Sequence, residues 1–175
     1  MFRRPSLAHV SDSDIAHHIP RLRRYARALV GERYAADDLV QDTLVRALSK
    51  FHLWRPGTDL RAWLFAIMHN VFVNQLRARG TRAEESLDDA IEDAVAPPTS
   101  DRLEIRDLAA AVAMLPPEQR EVVLLIALED MSYADVSKAL GIPMGTVMSR
   151  LFRGRERLRL MLAAEPAQPS LKVVK

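Results

Sequence analysis

A chain of 175 residues is long enough for one domain or two small ones, and 49% apolar residues exclude a wholly disordered chain. The absence of cysteine excludes disulfides and thiolate metal sites and fits a reducing compartment. Formal net charge is only +2, yet the charges are segregated: arginines gather near residues 21–27 and 150–159, while 84–93 holds six acids and no base. That asymmetry points to local partners rather than a uniformly basic surface.

The first residues lack the apolar core of a signal peptide. The most apolar run, 60–73, is broken by Arg61, His69 and Asn70 and falls short of the roughly 20 residues of a membrane span. These features predict a cytoplasmic protein without membrane insertion. Period-2 alternation is missing and glycine is scarce, so the expected fold is all-α.

The first half, about 12–80, reads as three or four helices. Pro20 either kinks the first helix or marks its start, and Gly31 stops it. A second helix covers about 35–51. Val40, Leu44, Ala47, Leu48 and Phe51 form its expected buried stripe, while Asp38, Gln41, Asp42 and Val45 share another face. An apolar Val45 among polar groups suits a protein contact; a routine solvated face fits the spacing equally. The stretch 55–59 is a loop in which Thr58 or Asp59 can cap the next helix. That helix runs to about 79, with Leu60, Trp63, Leu64, Ile67 and Val71 as expected core. Asn70, Asn74 and Arg77 line another edge, with Arg79 beyond. Amides and arginines beside aromatics suit single-stranded nucleic acid. His69 reads as a structural histidine, because no metal-ligand constellation accompanies it.

Residues 81–101 lose the periodicity, are acidic and end in a run containing Pro97-Pro98. They read as a flexible linker with a weak turn at 87–91. The second half, 102–163, is helical again, with Pro116-Pro117 separating two of its helices, and 164–175 reads as a flexible tail. Around Gly141 the pattern predicts a helix-turn-helix. Ser132 and Asp135 have capping-box spacing, Ser137 is small where helices approach, and Gly141 suits a left-handed turn. Pro143 suits the first turn of the next helix. Val147, Leu151 and Leu158 then face inward, while Gly145, Ser149, Phe152, Arg153 and Glu156 point elsewhere. Five arginines within 150–159, against the single acid Glu156, lie on the faces left for a polyanion. Arginines alone would fit an ordinary solvated helix; the capped helix, turn and small helix start favour DNA.

Three stretches carry a resemblance: "YARALVGERYAADDLVQDTLVRAL", "LRAWLFAIMHNVFVNQLR" and "LPPEQREVVLLIALEDMSYADVSKALGIPMGTVMSRLFRGRERLR". In this order they resemble a bacterial RNA polymerase sigma factor of the sigma-70 family, extracytoplasmic-function group, over about 14–163. The resemblance implies two small helical domains, 12–80 and 102–163, equivalent to sigma domains two and four. It implies binding to core RNA polymerase through Asp38, Gln41, Asp42 and Val45. A melted −10 element would be read by Trp54, Asn70, Asn74, Arg77 and Arg79. A duplex −35 element would be read by Thr146, Met148, Ser149, Phe152 and Arg153. Met148 departs from the pattern, where a basic residue is common. The resemblance further implies an anti-sigma factor as partner and a role in a stress or envelope response. No catalytic residues, metal ligands or cofactors are expected; a P-loop is absent from the sequence. The alternative is a helix-turn-helix regulator that works without polymerase, which leaves the face of Asp38 to Val45 and the amide-lined helix unexplained.

Overall fold

The computed structural model describes the backbone of residues 12–83 and 100–163 and the side chains of 14–79 and 105–163. Among the described residues all regular structure is helical. Helix α1, Asp12–Val30, runs through Pro20 instead of starting there. An interior proline costs a helix about 3 kcal/mol. Here Pro20 lies on the exposed side, and buried Ile15, Leu22, Tyr25, Ala26 and Leu29 hold the helix on both sides of it. Gly31 ends α1 with φ of 84°, its N–H donating to the Arg27 carbonyl at 2.9 Å.

Helix α2, Arg33–Lys50, starts at a cap the sequence did not advertise. The Glu32 carboxylate accepts from the N–H groups of Tyr34 and Ala35, both at 2.6 Å, and so satisfies two of the orphan donors of the first turn. A short 3₁₀ turn, Phe51–Leu53, leads to the loop before α3, Leu60–Ala83. Asp59 caps α3 as expected, accepting from Arg61 N–H at 2.9 Å and Ala62 N–H at 3.2 Å. The second half holds α4, Ser100–Ala113, α5, Pro117–Ala127, α6, Tyr133–Leu140, and α7, Met144–Ala163. The acidic stretch and its expected turn at 87–91, and the tail 164–175, lie outside the described residues.

Each half has an apolar interior. In the first, Leu22 and Leu29 of α1, Leu39 of α2, and Leu64, Phe65 and Met68 of α3 are fully or almost fully buried. Tyr25 meets Phe65 edge to face, ring centres 5.0 Å apart. The α2 stripe is rotated from the expected one: Leu39 and Thr43 are buried with Val40 and Ala47, whereas Leu48 is 52% exposed. Thr43 escapes a polar read-out because its hydroxyl donates to the Leu39 carbonyl at 2.7 Å, so it packs as a methyl. In α3, Phe65, Met68 and Phe72 join the expected Leu64 and Val71, while Leu60, Trp63 and Ile67 are only partly buried. In the second half Leu115, Val122, Leu125, Val136, Val147 and Leu151 form the interior. Gly154 of α7 lies against α5, and a Cβ there would sit 2.7 Å from Val123 Cγ2. The missing side chain is what lets the two helices approach.

The halves share one cluster of buried apolar residues, and along the seam where they meet polar contacts are added to it. After α5 the backbone turns at Asp130, φ 51°, next to Glu129, whose side chain is fully buried. Arg24 of α1 donates to Glu129 Oε1 at 2.8 Å and to the Leu128 carbonyl at 3.0 Å. Arg21 stands 3.9 Å from Glu129 Oε2. Arg61 of α3 donates to the Glu129 carbonyl at 2.9 Å, and Arg120 of α5 reaches back to the Leu29 carbonyl at 2.6 Å. His69 Nδ1 is 2.8 Å from Glu121 Oε1. His69 is thus structural, as expected, but its partner belongs to the other half.

Candidate nucleic-acid interface

Helix α6 begins at Ser132, whose hydroxyl accepts from Asp135 N–H at 3.1 Å. It also donates to the Asp135 carboxylate at 2.6 Å, so the acid returns to the capping hydroxyl rather than to the backbone. Gly141 ends α6 in the left-handed region, φ 64°. Ser137 does more than stay small: its hydroxyl donates to the Ile142 carbonyl at 2.6 Å and ties the turn to α6. Pro143 stands just before α7, its carbonyl accepting from Thr146 and Val147 at 2.9 and 3.1 Å. A missing N–H costs nothing at that position. These bonds fix the angle between two helices whose apolar faces share one interior.

Helix α7 buries Val147, Leu151 and Gly154, with Leu158 partly buried. The opposite side carries Gly145, Met148, Phe152 and Arg153, all exposed, with Ser149 half-buried among them. Thr146 is half-buried on another side. Of the expected −35 set, Met148, Ser149, Phe152 and Arg153 therefore share a surface, and Thr146 stands at its border. Ser149 donates to the Thr146 carbonyl at 3.1 Å. The acid Glu156 is engaged by Arg159, at 3.3 Å from both Nε and Nη2. Arg153, Arg155 and Arg157 are exposed beside it.

Two further surfaces belong to the first half. On α2, Asp38, Gln41, Asp42 and Val45 are all exposed, Val45 at 60%. Leu48, one turn further, extends the apolar part of this surface. Asp42 accepts from Gln75 of α3 at 3.2 Å, a link that no spacing in the chain marks. On α3, Asn70, Asn74, Arg77 and Arg79 are exposed along the helix. Asn70 donates to the Ala66 carbonyl at 2.9 Å. Trp54 does not join them directly. It is half-buried, stacked on Phe51 at 5.8 Å, and Phe51 in turn meets Trp63 near the start of α3. From Trp63 to Arg79 the axial rise is about 24 Å. The expected −10 set is strung out rather than gathered, which suits an extended strand better than a compact ligand. The Trp54 indole N–H is buried without a hydrogen-bond partner.

The titrating groups that depart from ordinary behaviour lie away from these surfaces, at or near the seam. Burial pushes the Tyr25 hydroxyl well above the usual tyrosine range, with Glu121 and Glu129 adding to the effect. Burial lowers His18 and Arg120. Among the described residues no group of three or more His, Asp or Glu is placed to hold a metal ion. Nor is any described helix long and apolar enough to cross a membrane.

The chain matches the family profile described as the Sigma2 domain of PhyR over residues 15–69, and that of Sigma-70, region 4, over 105–158. It is 36% identical to the ECF RNA polymerase sigma factor EcfG of Rhodopseudomonas palustris, across 89% of this chain and 86% of that protein. The structure of sigma factor RpoE in complex with the anti-sigma factor NepR, from Bartonella quintana, is similar at a TM-score of 0.76 and 36% identity. That similarity covers 88% of this chain and 97% of RpoE. CnrH, in complex with the cytosolic domain of CnrY, is similar at 0.66 and 28% identity, covering 88% of each chain.

Proposed function

The chain belongs to the extracytoplasmic-function sigma factors, which direct RNA polymerase to promoters, and from that premise we propose which of its surfaces performs each part of the task. Residues 12–80 act as sigma domain two and 102–163 as sigma domain four. The exposed face of α2, with Asp38, Gln41, Asp42 and Val45, docks on core polymerase. Its acids complement a basic partner, the amide sets register, and Val45 with Leu48 supplies an apolar anchor. The α3 edge of Asn70, Asn74, Arg77 and Arg79, with Trp54, takes the unstacked strand of the −10 element. Helix α7 enters the major groove of the −35 element.

The observation that carries this reading is the exposure of Val45 and Leu48 amid polar neighbours on a helix whose opposite face is fully packed. A regulator acting without polymerase has no use for that surface. Function then rests on binding, with strand opening driven by capture of unstacked bases and by the polymerase, not by chemistry at this chain. The solved relative RpoE is in complex with the anti-sigma factor NepR, and a partner of that class controls this chain in a stress or envelope response within the cytoplasm.

The test joins Gln41→Ala with Val45→Glu. Both positions are exposed, so stability changes by no more than about 0.5 kcal/mol per substitution. Core-polymerase binding, measured beside a thermal melt of the same variant, is lost or strongly weakened. A folded variant that binds core polymerase normally overturns the assignment of this face.

A further inference from the structure

The arginines gathered at 21–27 take no part in the surfaces assigned so far. From Arg21 to Val30 helix α1 carries no acid that could pair with them. Arg21 and Arg24, three residues apart, lie on one face of the helix. Both side chains keep about half of their surface in solvent. Arg61 lies in the first turn of α3, at the end of that helix where Phe51 joins Trp54 to Trp63. All three arginines reach one turn of the other half, just past the C-terminus of α5. Arg24 donates to Glu129 Oε1 and to the Leu128 carbonyl, and Arg61 to the Glu129 carbonyl. Arg21 stands 3.9 Å from Glu129 Oε2. Every group they meet there is an acceptor, two carbonyls and a carboxylate, at a helix end where the dipole is negative.

The fit of that turn is incomplete. Glu129 Oε2 is buried without a hydrogen-bond partner. Asp59, 3.6 Å from Arg61, is the second acid beside these cations, so three guanidinium groups meet two carboxylates. A carboxylate taken out of water is compensated only when its oxygens are all bonded. The turn is therefore a replaceable occupant of a cationic site. Its replacement has to offer several anionic oxygens in a row, as the phosphate backbone of DNA does, and the arginine fork matches phosphate. We propose that Arg21, Arg24 and Arg61 bind backbone phosphates of promoter DNA, and that the turn at 128–130 fills their site while the halves are closed, its Glu129 carboxylate in the place of a phosphate. Closure and DNA binding then compete for the same side chains. The site reads no base; it adds affinity beside the strand-reading edge of α3. The inference rests on the first half being the part that meets the −10 element.

The test has two arms. In the first, the full chain is assembled with core polymerase and promoter binding is followed across a salt series. Each phosphate contact contributes about 0.9 to the slope of log affinity against log salt. Arg21→Ala and Arg24→Ala are each expected to lower the slope by about that amount and to weaken a promoter and a mixed-sequence duplex alike. In the second arm the free full chain binds a mixed-sequence duplex at low salt. Glu129→Gln keeps the shape of the side chain and removes its charge. It is expected to bind about ten-fold tighter, because a charge-assisted hydrogen bond no longer holds the competing turn in place. Adding Arg21→Ala and Arg24→Ala to Glu129→Gln abolishes that gain, with helicity by circular dichroism unchanged throughout. An unchanged salt slope in both arginine variants, with promoter binding intact, overturns the phosphate contacts and leaves these arginines a structural role only. Glu129→Gln that binds no tighter than the parent overturns masking by the turn. A triple variant that keeps the gain shows that opening uncovers another surface and overturns the assignment to Arg21 and Arg24. Absence of promoter-specific binding by the parent holoenzyme overturns this proposal and the reading beneath it.

Discussion

The buried apolar residues of the two halves form one cluster, and the polar contacts that cross between the halves add a second, different chemistry. Leu22, Leu39 and Leu64 in one interior, and Val122, Leu125 and Val136 in the other, leave water as apolar surface against apolar surface. The seam instead sets Arg24 on Glu129, Arg61 on a main-chain carbonyl, and His69 on Glu121. Apolar burial has no good alternative in water, so an interior stays shut. The polar contacts between the halves do have one, because each group released from them is hydrated again. Arg24 keeps half of its side chain in solvent even when docked. The difference matters for a bipartite reader. By their names the two promoter elements lie about 25 base pairs apart, or about 85 Å at about 3.4 Å per base pair. A compact body of about 150 residues has a radius of gyration of about 15 Å. One such body cannot span that distance, and the expected place for it to open is between the halves, where polar contacts accompany the shared apolar cluster.

The largest test of this contrast is made in an interior. Leu125 is 1% exposed, and Leu125→Ala removes buried methyl groups from the centre of the second half. A loss of about 2–5 kcal/mol is expected, read by urea denaturation. The loss should fall on the second half, with the packing of α1 to α3 unchanged by hydrogen exchange. Equal loss of protection in both halves would show that they unfold as one unit and that the seam is as strong as the interiors.

A smaller effect is expected at the seam. Arg24→Ala takes away two hydrogen bonds and leaves the Glu129 carboxylate, fully buried, with Arg21 at 3.9 Å. Loss of a charged partner to a buried group costs about 1–3 kcal/mol. Because hydration is available by opening, the expected result is a larger radius of gyration in X-ray scattering with helicity unchanged. A variant as compact as the parent would mean that apolar contact, not Arg24, closes the seam.

What the sequence made legible divides along the same line. Caps, turns and faces are local. Asp59, Ser132 and Gly141 each act within a few residues, and they could be read from spacing. The outward face of α7 was legible for the same reason. The α2 stripe was misread at Leu48 because Thr43 looks polar and packs as apolar once its hydroxyl is returned to Leu39. The seam was illegible because its partners are about a hundred residues apart in sequence, as with Arg24 and Glu129, and no periodicity marks a single acid as buried. Gly154 did carry a signal: it falls between Leu151 and Leu158 on the inward side, where only a close helix crossing needs a missing side chain.

The smallest effect, and the one that reports on seam and interior together, belongs to Tyr25. Its ring meets Phe65 in the first interior, while Glu121 and Glu129 of the other half raise its hydroxyl further above the range that burial already sets. In the unfolded chain a tyrosine loses its proton near pH 10; in the folded protein Tyr25 holds it to a higher pH. The folded state therefore binds more protons above about pH 10, and stability falls there as pH rises. For one proton the slope approaches about 1.4 kcal/mol per pH unit, and below pH 10 this group contributes no slope. Tyr25→Phe keeps the ring, should change neutral stability little, and removes that alkaline slope when the two proteins are compared at each pH. If the seam opens in Arg24→Ala, water and distance relieve the hydroxyl of both carboxylates. The difference between Arg24→Ala and the double variant Arg24→Ala/Tyr25→Phe should then level off at a lower pH, with a smaller total loss. An undiminished total loss would place the burden on the first interior alone and would leave Glu121 and Glu129 without influence on Tyr25.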